Sequence, residues 1–194
     1  MALNVVEIWR DLHKTPELGF EENKTSAYLA EALEKLGFAV TRGVGKTGVM
    51  GVIRGAEPGP VLMLRADMDA LPFRNDDGSI EAVHACGHDS HCAMVLAAAS
   101  ELAGRVRRGT LKILFQPAEE GVRGAAGMAA SGILDDADYF LGAHIAMMCK
   151  SGEVSVNPYG FLCTTKLDVT YTGRPAHAGV EPNAGHNAMA AACN

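Results

Sequence analysis

The sequence predicts an α/β fold, a layered sheet with helices packed over it. Three observations predict it. Short β-rich segments alternate with helical ones in the order β-α-β-α-β between Val61 and Ile145. One of these strands, Val61-Leu-Met-Leu64, is apolar throughout, as a strand buried on both faces must be. Polar residues gather just past the strand ends, where open α/β sheets keep their sites.

The bulk composition narrows the function classes. At 194 residues, 48% hydrophobic and 21% charged, the chain is an ordinary globular one, of one domain or one domain and part of another. A formal charge of −6 argues against nucleic acid as a partner. No apolar run approaches the roughly 18 residues of a membrane span, so no membrane partner is expected. The N-terminus lacks the basic and apolar regions of a secretion signal, and the expected location is cytoplasmic. The five cysteines, Cys86, Cys92, Cys149, Cys163 and Cys193, form no Cys-x-x-Cys pair and are expected as free thiols.

The elements follow in order. Val5, Val6, Ile8, Trp9 and Leu12 have the spacing of an amphipathic helix that Pro16 brings to an end. A second helix fits residues 21–36, with Tyr28, Leu29, Leu33 and Leu36 on one face and Gly37 at its C-terminal cap. Strands are expected at 38–41, 48–53 and 61–67, then a polar loop over 72–84 and a helix at about 88–103. A strand at 111–116, a helix at 122–131 and a strand at 139–145 complete the layered part. Gly152-Glu-Val-Ser-Val156 and 164–173 read as β, the second alternating and half exposed, with a last helix at 186–193. That change of strand type puts the expected domain boundary near Cys163, giving domains of 1–163 and 164–194.

The stretch from His84 to Cys92 holds His84, Cys86, His88, Asp89, His91 and Cys92, and opens into a run of helix formers. Alone, such a crowd fits a zinc site, a catalytic Cys/His pair or coincidence. The other strand ends change the weighing: Asp67 and Asp69 follow one strand, Glu119 and Glu120 another, and His144 a third. Each has a blander reading, as a turn residue, a solvated pair or a hydrogen-bonded core histidine. Together they make a set of thiolate, imidazole and carboxylate suited to a borderline divalent ion. Adjacent glutamates in extended chain point different ways, so one can bind an ion while the other serves as general base. The residues by themselves thus favour a metal hydrolase over a cysteine-nucleophile hydrolase built on Cys86.

Four motifs now carry a resemblance: Leu64-Arg-Ala-Asp-Met-Asp-Ala-Leu-Pro72, His84-Ala-Cys-Gly-His-Asp89, Phe115-Gln-Pro-Ala-Glu-Glu-Gly121 and Gly142-Ala-His144. In this order the chain resembles the amidohydrolase branch of the two-metal peptidase superfamily, which includes hippurate hydrolase, N-acyl-amino-acid amidohydrolases and auxin-conjugate hydrolases. His13-Lys-Thr-Pro-Glu-Leu-Gly-Phe-Glu-Glu22 is similar to the branch's N-terminal signature. Glu120-Gly-Val-Arg-Gly-Ala125, Asp135-Asp-Ala-Asp-Tyr-Phe140, Thr164-Thr-Lys166 and Gly185-His-Asn-Ala188 are most similar to its aminobenzoyl-glutamate hydrolases.

The resemblance implies a zinc-exopeptidase-like mixed sheet with helices on both faces, followed by the start of a small α+β lid domain. It implies two divalent ions, Mn2+ or Zn2+, held by Cys86, His88, Glu120 and His144. Glu119 becomes the general base, passing a proton from the attacking water to the leaving amine, and Asp67 a carboxylate that orients a ligand. His177, in Gly173-Arg-Pro-Ala-His-Ala178, becomes the lid histidine that stabilises the oxyanion. The implied substrate is a small N-acyl or N-aroyl amino acid, and the implied assembly a homodimer through the lid. Relatives of this type continue past the position of Asn194 to a further histidine ligand. The expectation is therefore a piece of a longer enzyme or, if these residues act alone, a metal-binding chain with weak or absent hydrolysis.

Overall fold

The computed structural model describes residues 3–121, 124–145, 149–156 and 167–193. The chain divides into two compact units, Met1–Val154 and Ser155–Asn194. The expected boundary residue, Cys163, lies outside the described residues.

The first unit opens with α1 (Val5–His13), capped by Asn4, whose side chain accepts the Val6 N–H at 3.0 Å. Ile8 and Leu12 are its buried stripe. In α2 (Asn23–Lys35) Leu29, Ala30 and Leu33 are fully buried. The helix ends as Gly37 predicts: the Gly37 N–H donates to Glu34 O and the Phe38 N–H to Leu33 O, while Phe38 packs into the same core as Leu33.

β1 (Ala39–Val44), β2 (Gly48–Arg54) and β3 (Glu57–Asp67) follow, then β4 (Leu71–Arg74) and β5 (Ile80–Val83), α3 (His88–Leu102), β6 (Arg108–Gln116), α4 (Gly124–Ala130) and β7 (Tyr139–Gly142). The main sheet has the order β1-β2-β6-β3-β7. β3 runs parallel to β6 and β7, and β2 runs antiparallel to β1 and β6. The connections β3–α3–β6 and β6–α4–β7 travel in opposite directions across the sheet. Crossovers of one hand then put their helices on opposite faces.

The packing agrees. On one face Leu29, Leu33, Leu96 and Ala99 cover Val49, Ala66, Ile113 and Phe115. On the other, Met128 of α4 covers Val44, Met63 and Leu114. Alternate residues of β3 and β6 are thus buried on both sides, which explains their apolar character. A fully buried leucine or phenylalanine of this kind contributes about 1.5–3 kcal/mol over an exposed one. Among the described residues no helix is long and apolar enough to cross a membrane.

Three expectations need correction. Residues 72–84 are not one polar loop, because β4 and β5 pair as an antiparallel hairpin turned at Asn75–Ser79. The Asp77-Gly78 pair, a hairpin-turn signal, was the clue, and the Asp77 carboxylate accepts from the Ser79 N–H and hydroxyl. Glu153–Val156 is not a strand; Val154 and Val156 are highly exposed, with no neighbouring strand to pair with among the described residues. Leu167–Gly173 is also not a strand, since Leu167, Val169 and Tyr171 stand exposed without a ladder. The rest of that expected strand, 164–166, lies outside the described residues. The second unit holds one isolated bridge, Arg174 to His186, a 3-10 turn at Pro182–Ala184 and α5 (Ala188–Cys193).

Candidate metal centre

The carboxyl ends of β3, β6 and β7 lie side by side, with Asp67 opposite Gln116 and Arg65 opposite Gly142. The residues just past each strand therefore meet at one edge. β3 delivers Asp67 and Asp69, β6 delivers Glu119 and Glu120, and β7 delivers His144 and Ile145. The start of α3 brings His88 and His91 to the same place, with Cys86 in the loop before it. This is the crevice where the strand order reverses.

His88 is the centre of the cluster and is fully buried. Its Nδ1 lies 3.3 Å from Asp69 Oδ1, and since a carboxylate accepts, the proton sits on Nδ1. Its Nε2 is buried and has no hydrogen-bond partner. Around that nitrogen stand Asp67 Oδ2 at 3.7 Å, Glu120 Oε1 at 3.8 Å and Glu119 Oε2 at 3.9 Å. These gaps are too long for hydrogen bonds, and an unpaired buried nitrogen ringed by carboxylates is a costly arrangement without a cation.

His144 repeats the pattern. Its Nδ1 donates to Ile145 O at 2.6 Å, leaving Nε2 to face Cys86 Sγ at 3.4 Å. Cys86, His88 and His144 each offer a donor atom within 4.8 Å of the others, and so do His88, Glu119 and Glu120. Both imidazoles are therefore tied at Nδ1 and free at Nε2, as metal-ligating histidines are. The donors fit a borderline divalent ion.

Burial, reinforced by the Glu120 carboxylate, pushes the Cys86 thiol up to about 12. A bare thiolate among these acids is unfavourable, so a cation is what would displace its proton. The Asp67 carboxyl is also opposed by burial. The His91 hydrogen bond and the Arg65 guanidinium outweigh that and hold it at about 2.

The two aspartates have separate tasks. Asp67 Oδ1 takes the Nδ1–H of His91 at 2.6 Å, and its Oδ2 takes Arg65 Nη1 at 2.8 Å. Asp69 is the residue against His88, and its two oxygens also accept the N–H groups of Glu119 and Glu120, each at 2.9 Å. The sequence reading assigned ligand orientation to Asp67 alone. Both nitrogens of His91 are engaged, the second by the Ile145 N–H at 2.9 Å, so as placed it buttresses His144's neighbour and has no nitrogen free for an ion. Cys92 is buried on α3 and donates to Asp67 O. His84 is buried beside the His13–Asp89 pair, whose Nδ1–Oδ2 distance is 2.6 Å.

Gly87 makes the turn between Cys86 and His88. It adopts φ +84, and a Cβ there would fall 2.2 Å from Ile145 Cδ1. Only glycine satisfies both conditions. A cleft of about 340 Å3 on the α4 face is lined by Arg65, Gln116, Met128 and Phe140, and none of the candidate donors lines it. His177 belongs to the second unit, where its Nδ1 accepts the Gly179 N–H at 3.2 Å. Among the described cysteines Cys86, Cys92, Cys149 and Cys193 are free.

An open α/β sheet with soft and borderline ligands and paired glutamates at its carboxyl edge has the architecture of a metallopeptidase. The chain belongs to peptidase family M20/M25/M40, whose family model matches residues 63–194. It is 36% identical to a p-aminobenzoyl-glutamate hydrolase homologue of Haemophilus influenzae, over 100% of this chain and 59% of that protein. It is likewise 36% identical to the indole-3-acetyl-aspartic acid hydrolase of Enterobacter agglomerans, over 94% of this chain and 54% of that protein. The crystal structure of the Bacillus subtilis YXEP protein, a dinuclear metal binding peptidase, matches with a TM-score of 0.66. It is 36% identical, and the match covers 72% of this chain and 42% of that one. The chain thus spans between two-fifths and three-fifths of the length of these proteins.

Proposed function

We propose that the chain carries the catalytic site of a metal-dependent amidohydrolase that cleaves the amide bond of N-acyl or N-aroyl amino acids. The observation that supports it most is the buried, unpaired Nε2 of His88, ringed by carboxylates and sharing its cluster with Cys86 and His144. Cys86, His88, Glu120 and His144 would hold divalent ions, two of them by analogy with the dinuclear relative, and manganese or zinc suits these donors. When bound, such ions polarise an amide carbonyl and lower the pKa of water.

The remaining work falls to the protein. Glu119 is the more exposed of the two glutamates, with a side chain 43% exposed, and it sits in reach of the cluster. It takes a proton from the attacking water and gives it to the leaving amine. Asp69 holds His88 in one tautomer and holds the Glu119–Glu120 backbone at the same time. Asp67 and Arg65 fix His91 and the strand end. His177 is proposed as the oxyanion-stabilising group on its motif alone, and a cytoplasmic homodimer is the proposed setting. Two relatives named for acyl conjugates of glutamate and aspartate favour an acidic amino acid as the released half.

The test is Glu119→Gln, assayed on N-aroyl glutamate beside metal analysis. Turnover is expected to fall about 10²–10⁴-fold with metal retained. Normal turnover in that variant refutes the assigned base. Metal bound without turnover by the unaltered chain favours the binding-only reading.

A further inference from the structure

Glu22 is fully buried and is consumed by no role described so far. It occupies the N-cap position of α2, where a carboxylate could take the helix's first N–H groups, yet it makes no cap bond. Glu17 does that instead, accepting the Lys24 N–H at 3.1 Å and the Thr25 N–H at 2.8 Å. The Glu22 carboxylate turns inward. Its Oε2 takes the Thr47 hydroxyl at 2.5 Å and its Oε1 takes the Ala118 N–H at 2.8 Å.

Ala118 is the residue just before Glu119, and it is held at φ +51, a left-handed conformation that a Cβ disfavours. Its carbonyl is held too, by the Gly124 N–H at 3.0 Å. A Cβ on Gly124 would fall 1.9 Å from Pro117 O, so the chain returns tightly over this turn. Left-handed backbone at a non-glycine residue persists only where its surroundings over-determine it.

We propose that Glu22 is a positioning residue: by holding the Ala118 N–H it fixes the left-handed turn that aims Glu119 and Glu120. The proposal rests on the reading of those two glutamates as base and ligand. The signature segment Glu17–Glu22 is bound to the same edge, since the Ala70 N–H donates to Glu17 O at 2.8 Å. The N-terminal segment is thereby part of the frame of the site and contributes no reacting group to it.

Two readouts test it, amide hydrogen exchange in the metal-free chain and affinity for Mn2+ alone. Glu22→Ala is expected to speed exchange at Glu119 and Glu120 at least tenfold while Leu111–Phe115 keep their protection, and to weaken Mn2+ binding at least tenfold. Glu22→Gln keeps both near normal, because its amide oxygen still accepts from Ala118 and its NH2 donates to a Thr47 hydroxyl turned the other way. Ala118→Gly, which removes the left-handed penalty, restores part of the affinity in the Glu22→Ala background. Unchanged exchange at Glu119 and Glu120, or equal acceleration across the strand, overturns the proposal. If Glu22→Ala does not fold, Thr47→Val frees the other carboxylate oxygen, and faster exchange confined to Ala118–Glu120 is expected, with no change overturning it. Should the unaltered chain bind no Mn2+, the metal reading fails, while the exchange pattern still decides for or against Glu22.

Discussion

Asp69 and His88 form the hinge of the site: Oδ1 of the aspartate lies 3.3 Å from Nδ1 of the histidine, and both are buried. The same carboxylate carries the N–H groups of Glu119 and Glu120, so one side chain couples an imidazole from α3 to the acidic turn after β6. Burial works against its charge. The His88 hydrogen bond and the two backbone N–H groups overcome that and hold the carboxyl below its ordinary value.

Asp69→Asn should therefore damage metal binding more than fold. An amide has one acceptor oxygen for three donors, and its NH2 faces an N–H. Metal affinity is expected to fall about 10–100-fold, with about 1–3 kcal/mol of stability lost to the unpaired group. Metal titration and urea unfolding check it, and unaltered affinity removes Asp69 from the site.

Gly87→Ala places a methyl against Ile145, whose carbonyl holds His144 and whose N–H holds His91. Left-handed strain adds about 1–3 kcal/mol. The expected result is weaker metal binding together with lower stability. Adding Ile145→Ala removes the clash and leaves the strain, so it restores affinity more than melting temperature.

Metal affinity should rise with pH. The Cys86 thiol, pushed up to about 12 in the metal-free protein, gives up its proton on binding. Each proton released makes affinity climb about tenfold per pH unit. Chelator competition across neutral pH measures the slope. Cys86→Ala is expected to lower both affinity and slope, and an unchanged slope in that variant sinks the thiolate assignment.

Stability of the metal-free protein should depend on pH in two opposite senses. Asp67, held at about 2 against an ordinary 3.8, contributes stability that is complete above 3.8 and lost as pH falls through 2. That amounts to about 2 kcal/mol for this buried group. His88 is raised, burial being outweighed by its hydrogen bond to Asp69 and the nearby acids. Its contribution is complete below 6.5 and lost as pH rises through its folded value. Urea unfolding should then show an acid limb that Asp67→Asn abolishes; a limb retained in that variant assigns acid lability elsewhere.

Much of the fold was legible because its signals are local. Apolar spacing marked α1, α2 and α3, the unbroken apolar run marked β3, and Gly37 marked the end of α2 within a residue. The hairpin at 71–83 was obscured because β4 and β5 are short and largely exposed, so hydrophobic patterning gives little sign of them. The segment at 167–173 alternates as a half-buried strand does, but pairing needs a neighbour that local pattern cannot supply.

Sequence alone determined which chemical groups this protein brings to its site: Cys86, His88, Glu119, Glu120 and His144 follow strands or open a helix, and strand direction sends them to one edge. Only the tertiary structure decided how they are held. That Asp69 and not Asp67 faces His88, that His91 is spent on Asp67 and Ile145, and that Glu22 reaches Ala118 are relationships between residues far apart in the chain. They depend on which oxygen meets which N–H across packed elements, and angstrom-scale pairing of this kind leaves no periodic trace in the sequence.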